Sequence, residues 1–592
     1  MQGLPGRIET AALAALGWAE ASAPRRAALI GLLALLTLLP GLAALPPTDR
    51  DESRFVQASR QMIETGDLID IRFQDEPRWK KPAGIYWLQA ASASAFGGAQ
   101  APVWAYRLPS ALAVFLAGLL TIWTLLPLAG QRAATLAGAM VSTALLVVVE
   151  GHIAKTDATL LACVMLAQGA LARIRTRAVT RFDWRHLLFW GALGLGVLVK
   201  GPVILLSAGG TLLWLTVTER APRRLLELKP LPGFGLLILL TLPWAVAIWL
   251  RTGGAFFDEA VGTDLLGKVT AGAEKHWGPP GYYLATVWGT FWPWTPLALF
   301  AAPFVWRARA STAMRFLLGW ALPFWLVFAL VSTKLPHYIL PILPALAGMI
   351  ALWATAPDRA VPGRLRPLFA AGLFALVGGL LGLAGLIGPT VLEGTVSAPG
   401  VLLALLALGA VALGARAIAR MQVHAYIGSA LIAGLCLYAS ILQYTLPALH
   451  SVFLSPRLAE ARARFDACTD RPLVSVGYRE PSLVVAGGTD TMLADAGEAA
   501  DLLRSQDGWL VFFEESRGFA LDRFIAEQNL PLTTLQTIHG FNYNRGKPTT
   551  LHLVARPGDP RLAGCTPAPA PRADAPPPGP DATGAAIQPP SG

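Results

Sequence analysis

The residues best suited to chemistry lie in a polar stretch, residues 51–89, between two long apolar segments. The stretch begins with the acidic pair Asp51 and Glu52, and the basic pair Lys80 and Lys81 lies near its end. Carboxylates act as general bases or stabilise cationic transition states, and lysines bind phosphate oxygens. The pattern predicts a site for a phosphate-bearing ligand. The alternatives are acids placed at a helix start and a lysine that anchors a helix at the membrane surface.

Other ionisable residues occur in short turns between later apolar segments. In EGHIAKTDATLL, Asp157 stands at the edge of a predicted span, where a carboxylate is costly unless it is used. Lys200 interrupts another apolar run. The other candidates in such turns are His152, Lys155, Lys268, Lys275, His276, Lys334, His337 and Tyr338. So many cations on one predicted side suggest an anionic ligand.

The composition indicates a membrane protein. The chain has 592 residues, of which 54% are hydrophobic and 14% charged, with a mean hydropathy of +0.51. Its net charge is +11, but the arginines form short clusters between apolar runs, which argues against nucleic-acid binding. About thirteen runs of roughly spanning length recur up to residue 447. The two short runs that meet at Lys200-Gly201-Pro202 could instead form a hairpin or re-entrant segment.

The arginine clusters predict the orientation. They occupy alternate loops, near residues 173–185, 220–229, 307–315, 359–366 and 416–420, and the positive-inside rule places these loops in the cytoplasm. The other loops, 46–107, 153–156, 251–280, 333–335 and 390–398, are then external, as is everything after residue 447. Arg25 and Arg26 precede an apolar run without a clear cleavage site. This favours an uncleaved first span, with a cytoplasmic N-terminus, over a cleaved signal peptide.

The first external loop is expected to contain a helix that lies in the membrane interface. Apolar residues recur there with helical spacing, and polar residues face the other way. The apolar face would hold Phe55, Ser59, Met62 and Ile63, and the polar face Gln57, Arg60, Gln61 and Glu64.

The chain is predicted to form a membrane domain over residues 1–447, an external α/β domain over 448–565 and a disordered tail over 566–592. Apolar strands at 473–476 and 509–513 with a helix at 496–504 indicate the α/β domain, and Pro, Ala and Gly dominate the tail. Cys163 and Cys436 lie in apolar runs, and the cysteines lack zinc-site spacing. Cys468 and Cys565 could form a disulfide if this domain is periplasmic.

A set of motifs now gives a family resemblance. DE-x-R at residue 51, GD, KP-x-x-x-YWL, TD, KGP, H-x-GP and KLP-x-Y-x-LP, between residues 45 and 350, resemble the bacterial lipid A aminoarabinose transferases. GYREPSLV and GFNYNRGK agree more weakly. These enzymes belong to the protein O-mannosyltransferase superfamily of membrane glycosyltransferases. The resemblance implies a mainly α-helical GT-C fold of thirteen spans in the inner membrane, with interfacial helices in the first periplasmic loop and a periplasmic C-terminal domain.

The resemblance also implies a function and a site. The enzyme would move a monosaccharide from a polyprenyl-phosphate donor to lipid A, another glycolipid or a protein. Asp51 would be the essential carboxylate and Asp157 the second one, with Glu52 as a further catalytic candidate. Lys81 would bind the donor phosphate, and His276 and Tyr338 would line the cavity. Arg54, Lys200 and Lys334 are the other candidates for binding phosphate or substrate.

One departure concerns Lys80. The aminoarabinose transferases tend to carry a glutamate here, which helps to ligate a metal. A lysine removes that ligand and repels a cation, so no cofactor is expected and a divalent metal is disfavoured. It also makes an acidic sugar, such as a uronic acid, a hypothesis for the donor. From a different class of function, a lipid flippase or transporter shares the hydropathy, but it should carry ionisable residues at mid-membrane and often internal repeats.

Overall fold

The computed structural model describes residues 4–176, 181–267, 277–357, 363, 365–505, 507–516, 519–565 and 567–568. The chain is mainly α-helical and divides into two compact units, Met1–Ser451 and Val452–Gly592. The first carries the long apolar helices, and the second is a small α/β unit. The predicted disordered tail lies almost wholly outside the described residues.

The first unit contains seventeen described helices of four residues or more, named α1 to α17 here, besides short 3-10 and π-helical segments. Helices α1 to α10 are Leu4–Glu20, Ala23–Leu42, Asp51–Thr65, Gly84–Ala95, Val103–Thr143, Leu145–Gly151, Thr156–Thr176, Trp184–Lys200, Val203–Glu219 and Pro230–Thr252. Helices α11 to α17 are Tyr282–Thr290, Thr295–Ala308, Thr312–Leu330, Leu343–Thr355, Leu365–Glu393, Ala398–Ala419 and Val423–Tyr438. The π-helical segments are Asp258–Leu266 and Ala439–Thr445, and the 3-10 segments include Pro222–Leu228 and Pro336–Ile342. Strands β1, Arg72–Phe73, and β2, Glu76–Pro77, form a small antiparallel hairpin.

Nine helical segments in the described part of the chain are long and apolar enough to cross a membrane. The chain is thus a multi-pass membrane protein, but the predicted count of about thirteen stays a prediction. The remaining predicted spans coincide with shorter or interrupted helices. Helices α8 and α9 have 17 residues each, and residues 282–308 are split between α11 and α12. Helix α5 covers one predicted span and part of the next, with a break at Gly130, whose φ of 76° suits glycine.

Two features of the first unit differ from the sequence-based expectation. Helix α1, which was not predicted, packs against α17, where Gly428 approaches Ile8 so closely that a Cβ would clash with it. Helix α3 forms as predicted, but part of its polar face is buried. Gln57 and Arg60 are buried, as are Phe55 and Met62. The middle of the helix is therefore covered by protein on both faces, while Asp51 and Glu64 near its ends are exposed.

Helix ends bring the polar residues of the first unit together. Helices α7 and α8 pack against each other, and the first turn of α7 meets the last residue of α8. An acid in a first turn and a base in a last turn complement the helix dipoles, as Asp157 and Lys200 do here. Gly201 follows with a φ of 74°, which ends α8 directly after Lys200. Similarly, Asp51 and Glu52 occupy the first turn of α3.

The second unit is built on a mixed four-stranded sheet with the order β3-β4-β6-β5. The strands are Val474–Val476, Val511–Glu514, Thr533–Asn542 and Lys547–Ala555 for β3 to β6. Strand β3 is parallel to β4, and the other two pairs are antiparallel. Helices α18 to α21 are Leu454–Ala463, Pro481–Gly487, Ala496–Ser505 and Leu521–Gln528. The two predicted strands and the predicted helix are all present.

Candidate functional site

A cavity of about 390 Å³ in the first unit gathers most of the predicted site residues. Its polar wall contains Asp51, Arg54, Arg78, Lys80, Lys81, Lys155, Thr156, Asp157, Lys200, Asp264, Thr333, His337 and Tyr338. Its apolar wall contains Phe55, Leu160, Pro202, Val203, Leu206, Val327, Phe328, Val331, Leu335 and Pro341. The cavity thus has a charged part and an apolar part, which suits an amphipathic ligand with an anionic group.

Asp51 is the exposed carboxylate of this cavity. It is the first residue of α3, and its side chain is accessible where those of its neighbours on α3 are largely buried. Within the part of the chain that the structure describes, its carboxylate makes no hydrogen bond or ion pair. Arg54, which lies about one turn after Asp51 on α3, also lines the cavity. Asp51 is therefore available to a ligand, as a catalytic carboxylate must be.

Asp157 has a different environment, because it is buried and paired with two lysines. Lys200 Nζ donates a hydrogen bond to Asp157 Oδ1 at 2.5 Å, and Lys155 Nζ lies 3.7 Å from Oδ2. Lys155 is also 3.0 Å from Glu150 Oε1, which fixes it from the other side. The ammonium of Lys200 lies 5.8 Å from the ring centroid of Tyr338. Asp157 thus holds two cations at the cavity wall.

Lys81 is held by an acidic residue that the sequence gave no reason to select. Its Nζ lies 2.8 Å from Asp264 Oδ2, and Asp264 belongs to the π-helical segment Asp258–Leu266. The same ammonium donates to the backbone carbonyl of Lys80 at 2.8 Å. The carboxylate of Asp264 therefore occupies a position next to Lys81 where an anionic ligand would compete with it.

Replacing Asp264 by Asn should lower the KM for an anionic donor by about fivefold, because Lys81 then loses a competing counter-charge. The measurement is a donor titration at saturating acceptor. Asp258→Asn, an exposed acid of the same segment, is the matched control and should leave KM unchanged. A higher KM for Asp264→Asn would mean that the carboxylate positions Lys81 instead of competing for it.

Glu52 does not line the cavity, although it is adjacent to Asp51 in sequence. Its buried carboxylate accepts hydrogen bonds from Arg107 Nε at 2.7 Å and Nη2 at 3.0 Å. It also accepts from the backbone N–H and hydroxyl of Thr48 and from the backbone N–H of Ala154. Burial raises the pKa of Glu52, but the charge and hydrogen bonds of Arg107 and the two backbone donors outweigh it, so the pKa lies below its usual range.

The contacts of Glu52 tie three segments together. Arg107 donates to the backbone carbonyls of Leu42, the last residue of α2, and of Leu45 and Pro46, which follow it. Ala154, the third partner, immediately precedes Lys155. The buried Glu52–Arg107 pair thus fixes the start of α3 relative to the turn that carries Lys155 and Asp157. This geometry suits a positioning residue and gives no support to the predicted catalytic role of Glu52.

Three other predicted residues lie outside this polar wall or outside the described chain. Lys334 Nζ donates to the carbonyls of Phe328, Ala329 and Val331, so it caps the end of α13 instead of lining the cavity. Both ring nitrogens of His152 contact backbone carbonyls, of Val148 and Pro40, which explains its burial structurally. His276, like Lys268 and Lys275, lies outside the described residues.

The described residues hold no group of three or more His, Cys, Asp or Glu side chains placed to bind a metal. Lys80 lines the cavity at the position where the family pattern has a glutamate. Lys80 and its neighbour Lys81 are cationic and offer no metal ligand, so this part of the wall does not fit a divalent metal.

Arg78, Arg107 and Asp264 are the site residues that the sequence did not single out. Arg78 is buried, and its guanidinium lies 5.0 Å from the ring centroid of Phe55. Its position two residues before Lys80 in the same polar stretch was the only available signal. Arg107 and Asp264 contact the site from residues far away in sequence, and no local pattern marks them.

Comparisons with known proteins agree with this architecture. Residues 48–253 match the model of the family described as dolichyl-phosphate-mannose-protein mannosyltransferase. The chain is also similar to ArnT from Cupriavidus metallidurans in the crystal structure bound to undecaprenyl phosphate, with a TM-score of 0.66 and 19% identity over 89% of this chain and 97% of that one. The apo structure of the same ArnT gives a TM-score of 0.64. The chain thus has the fold of ArnT.

Curated relatives point to the same group of proteins. The undecaprenyl phosphate-alpha-4-amino-4-deoxy-L-arabinose arabinosyl transferase of Pectobacterium atrosepticum is 31% identical over 365 residues, which cover 60% of this chain and 63% of the relative. The protein of the same name from Aeromonas salmonicida is 31% identical over 58% of this chain and 62% of the relative. The matches thus span less than two thirds of these relatives. They confirm the resemblance predicted from the motifs.

Proposed function

We propose that this protein is a membrane glycosyltransferase that moves a monosaccharide from a polyprenyl-phosphate donor to lipid A on the periplasmic side of the inner membrane. The observation that carries the proposal is the cavity, which joins a cationic wall to an apolar one. A lipid-linked phosphate sugar has the same division between an anionic head and an apolar chain. The names of the similar proteins favour a sugar donor linked to undecaprenyl phosphate.

The donor phosphate is assigned to the cationic wall. Lys81 and Lys200 each present an ammonium there, and Lys200 is oriented by its hydrogen bond to Asp157. Arg54 and Tyr338 line the same cavity and extend the set of donors. Such preorganised cations stabilise the negative charge that grows on the departing phosphate. The apolar wall formed by α7, α9 and α13 would contact the first isoprene units of the chain.

The transfer needs no redox group or nucleotide, because the phosphate is itself the leaving group. The bond from the anomeric carbon to the phosphate oxygen breaks, and the phosphate keeps the electron pair. An acceptor oxygen forms the new bond through an oxocarbenium-like transition state, and a direct displacement inverts the anomeric centre. Asp51 would stabilise this cationic carbon, and with a hydroxyl acceptor it would also take the proton. A phosphate acceptor is already deprotonated and needs no base.

The orientation proposed from the arginine clusters places the second unit in the periplasm. The unit contains a disulfide between Cys468 and Cys565, with Cα atoms 5.9 Å apart. Disulfides persist in oxidising compartments, so this bond supports an external location. The other two cysteines, Cys163 and Cys436, are free and lie in the first unit.

A thiol count tests this placement. In protein denatured without reductant, two of the four cysteines should react with a maleimide-polyethylene glycol, and all four should react after reduction. The control variant Cys468→Ser should show three reactive thiols without reduction, because Cys565 is then released. Four reactive thiols in the unreduced wild type would refute the disulfide and weaken the periplasmic placement.

Mass spectrometry of lipid A from a deletion strain tests the proposed function. Loss of the mass of one sugar, restored by the wild-type gene but not by Lys81→Met, is the expected result. Unchanged lipid A would refute lipid A as the acceptor and direct the search to a protein or surface-glycan acceptor.

A further inference from the structure

Lys155 lines the cavity but has no role in the proposed donor site. Its ammonium lies 3.0 Å from Glu150 Oε1 and 3.7 Å from Asp157 Oδ2. An ammonium carries three N–H groups, and of these two carboxylates only Glu150 lies within hydrogen-bond distance of it. Lys155 can therefore donate a hydrogen bond to a ligand in the cavity while Glu150 holds it in place.

Asp157 separates the ammonium groups of Lys155 and Lys200. Lys200 Nζ donates to Asp157 Oδ1, whereas Lys155 Nζ lies nearer to Oδ2, so the two cations form distinct positions at the wall. Lys155 is also attracted electrostatically by Asp51, the carboxylate proposed to stabilise the reacting carbon. In a direct displacement the acceptor approaches that carbon from the side opposite the leaving phosphate. Two anionic groups at one carbon therefore need two cationic positions.

Glu150 is the partner that fixes Lys155. It is only 2% exposed, it does not line the cavity, and its Oε2 has no hydrogen-bond partner among the described residues. A buried ion pair with an unsatisfied oxygen is a poor stabiliser, because the cost of desolvation offsets the attraction between the charges. Since Glu150 does not reach the ligand, its effect on a ligand passes through the ammonium of Lys155.

We propose that Lys155 is a further substrate-contacting residue, which binds an anionic oxygen of the acceptor, and that Glu150 is a positioning residue that acts through Lys155. This inference rests on the proposed function and assigns the acceptor to the second cationic position. The donor phosphate occupies the position of Lys81 and Lys200. An acceptor phosphate needs no base, but it must approach another phosphate at the same carbon, and the charge of Lys155 reduces the repulsion between them.

Binding of lipid A to the full-length protein in nanodiscs tests the inference independently of the donor sugar. Lipid A with its phosphate groups is compared with lipid A from which they have been removed, and the ratio of the two dissociation constants is measured. The wild type should prefer the phosphorylated lipid by about tenfold or more, and Lys155→Met should lower this preference by about tenfold. Lys155→Met should change the dissociation constant of undecaprenyl phosphate by less than about twofold, because the donor phosphate uses other cations.

Glu150→Gln should lower the phosphate preference by about threefold, although it removes a negative charge close to an anionic ligand. Asp264→Asn removes a carboxylate from the wall of the same cavity and is the matched control, which should not lower the preference. The double variant Glu150→Gln with Lys155→Met should show the same preference as Lys155→Met, since Glu150 acts through that lysine. It removes both charges together and so guards against a folding defect from one buried, unpaired charge.

The outcomes separate this inference from the proposed function. Equal binding of the two lipids by the wild type, or a wild-type preference in Lys155→Met or the double variant, would overturn the role of Lys155. A stronger preference in Glu150→Gln would overturn the role of Glu150, because its carboxylate would then only repel the ligand. These results leave the proposed function intact while undecaprenyl phosphate still binds. Failure of the wild type to bind undecaprenyl phosphate would overturn the proposed function itself.

Discussion

Asp51→Asn is expected to lower sugar transfer by about 10²–10⁴-fold while leaving the protein folded. Asp51 is the exposed carboxylate at the start of α3 and lines the cavity. The amide keeps the shape of the side chain but removes the negative charge that would stabilise the cationic carbon. Its folding should be unaffected, because the Asp51 carboxylate makes no hydrogen bond or ion pair within the described part of the chain. The measurement is kcat with the preferred donor, alongside the melting temperature.

Asp75→Asn provides the matched control for this variant. Asp75 is an exposed acid in the same loop, residues 46–107, and its side chain does not line the cavity. Both variants remove one negative charge from the loop, so they change its net charge equally. Only Asp51→Asn should lose activity. Full activity of Asp51→Asn would overturn the assignment of the catalytic carboxylate.

Glu52→Ala is expected to lower the free energy of unfolding by about 3–5 kcal/mol. The substitution leaves the guanidinium of Arg107 buried without its ion-pair partner, and both side chains of this pair are at most 1% exposed. Thermal unfolding in detergent should show a large fall in melting temperature. The double variant Glu52→Met with Arg107→Met should recover part of the loss, since it removes both charges together.

A surface ion pair gives the scale for comparison. Glu227 and Arg224 are 3.9 Å apart and both are substantially exposed. Glu227→Ala should therefore change stability by only about 0–1 kcal/mol. If Glu52→Ala is no more destabilising than Glu227→Ala, Glu52 is not the structural residue that its contacts indicate.

The Glu52–Arg107 pair also predicts how stability depends on pH. The pKa of Glu52 in the folded protein lies below its usual range. Its contribution is therefore complete above the unfolded-state pKa, about 4.3, and is lost as the pH falls through the lower folded-state pKa. The melting temperature of the wild-type protein should fall over this acidic interval. The melting temperature of Glu52→Gln should not show that part of the fall. An identical acid profile in the two proteins would exclude Glu52 as the source.

One residue type and its local position were sufficient to predict which side chains would lie near one another. Asp51, Asp157, Lys81 and Lys200 stand at the edges of apolar segments, and the fold brings them to one cavity. These side chains come together because the helix ends next to them lie on the same side of the first unit. Membrane spans and the small α/β unit were predictable for the same reason, because hydropathy and alternation are local signals.

The roles of Glu52 and Lys334 were not predictable from local pattern. Adjacent residues on a helix point about 100° apart, so Asp51 and Glu52 face different surroundings despite being neighbours. Glu52 meets Arg107 from a later helix, and no periodicity marks this partner. Lys334 lies in a short turn between apolar segments, as the other candidate lysines do, but its ammonium contacts the carbonyls that end α13. Side-chain direction of this kind depends on tertiary packing.

Binding of undecaprenyl phosphate to the purified protein tests the central claim most directly. Native mass spectrometry would compare wild type, Lys81→Met and the exposed-residue control Arg223→Met at several lipid concentrations. The wild type and the control should bind with equal affinity, and Lys81→Met should bind about 10–100-fold more weakly, because a charge-assisted contact to the phosphate is lost. Equal binding by Lys81→Met and wild type, or no binding by wild type, would contradict the assignment of this cavity to a polyprenyl-phosphate donor.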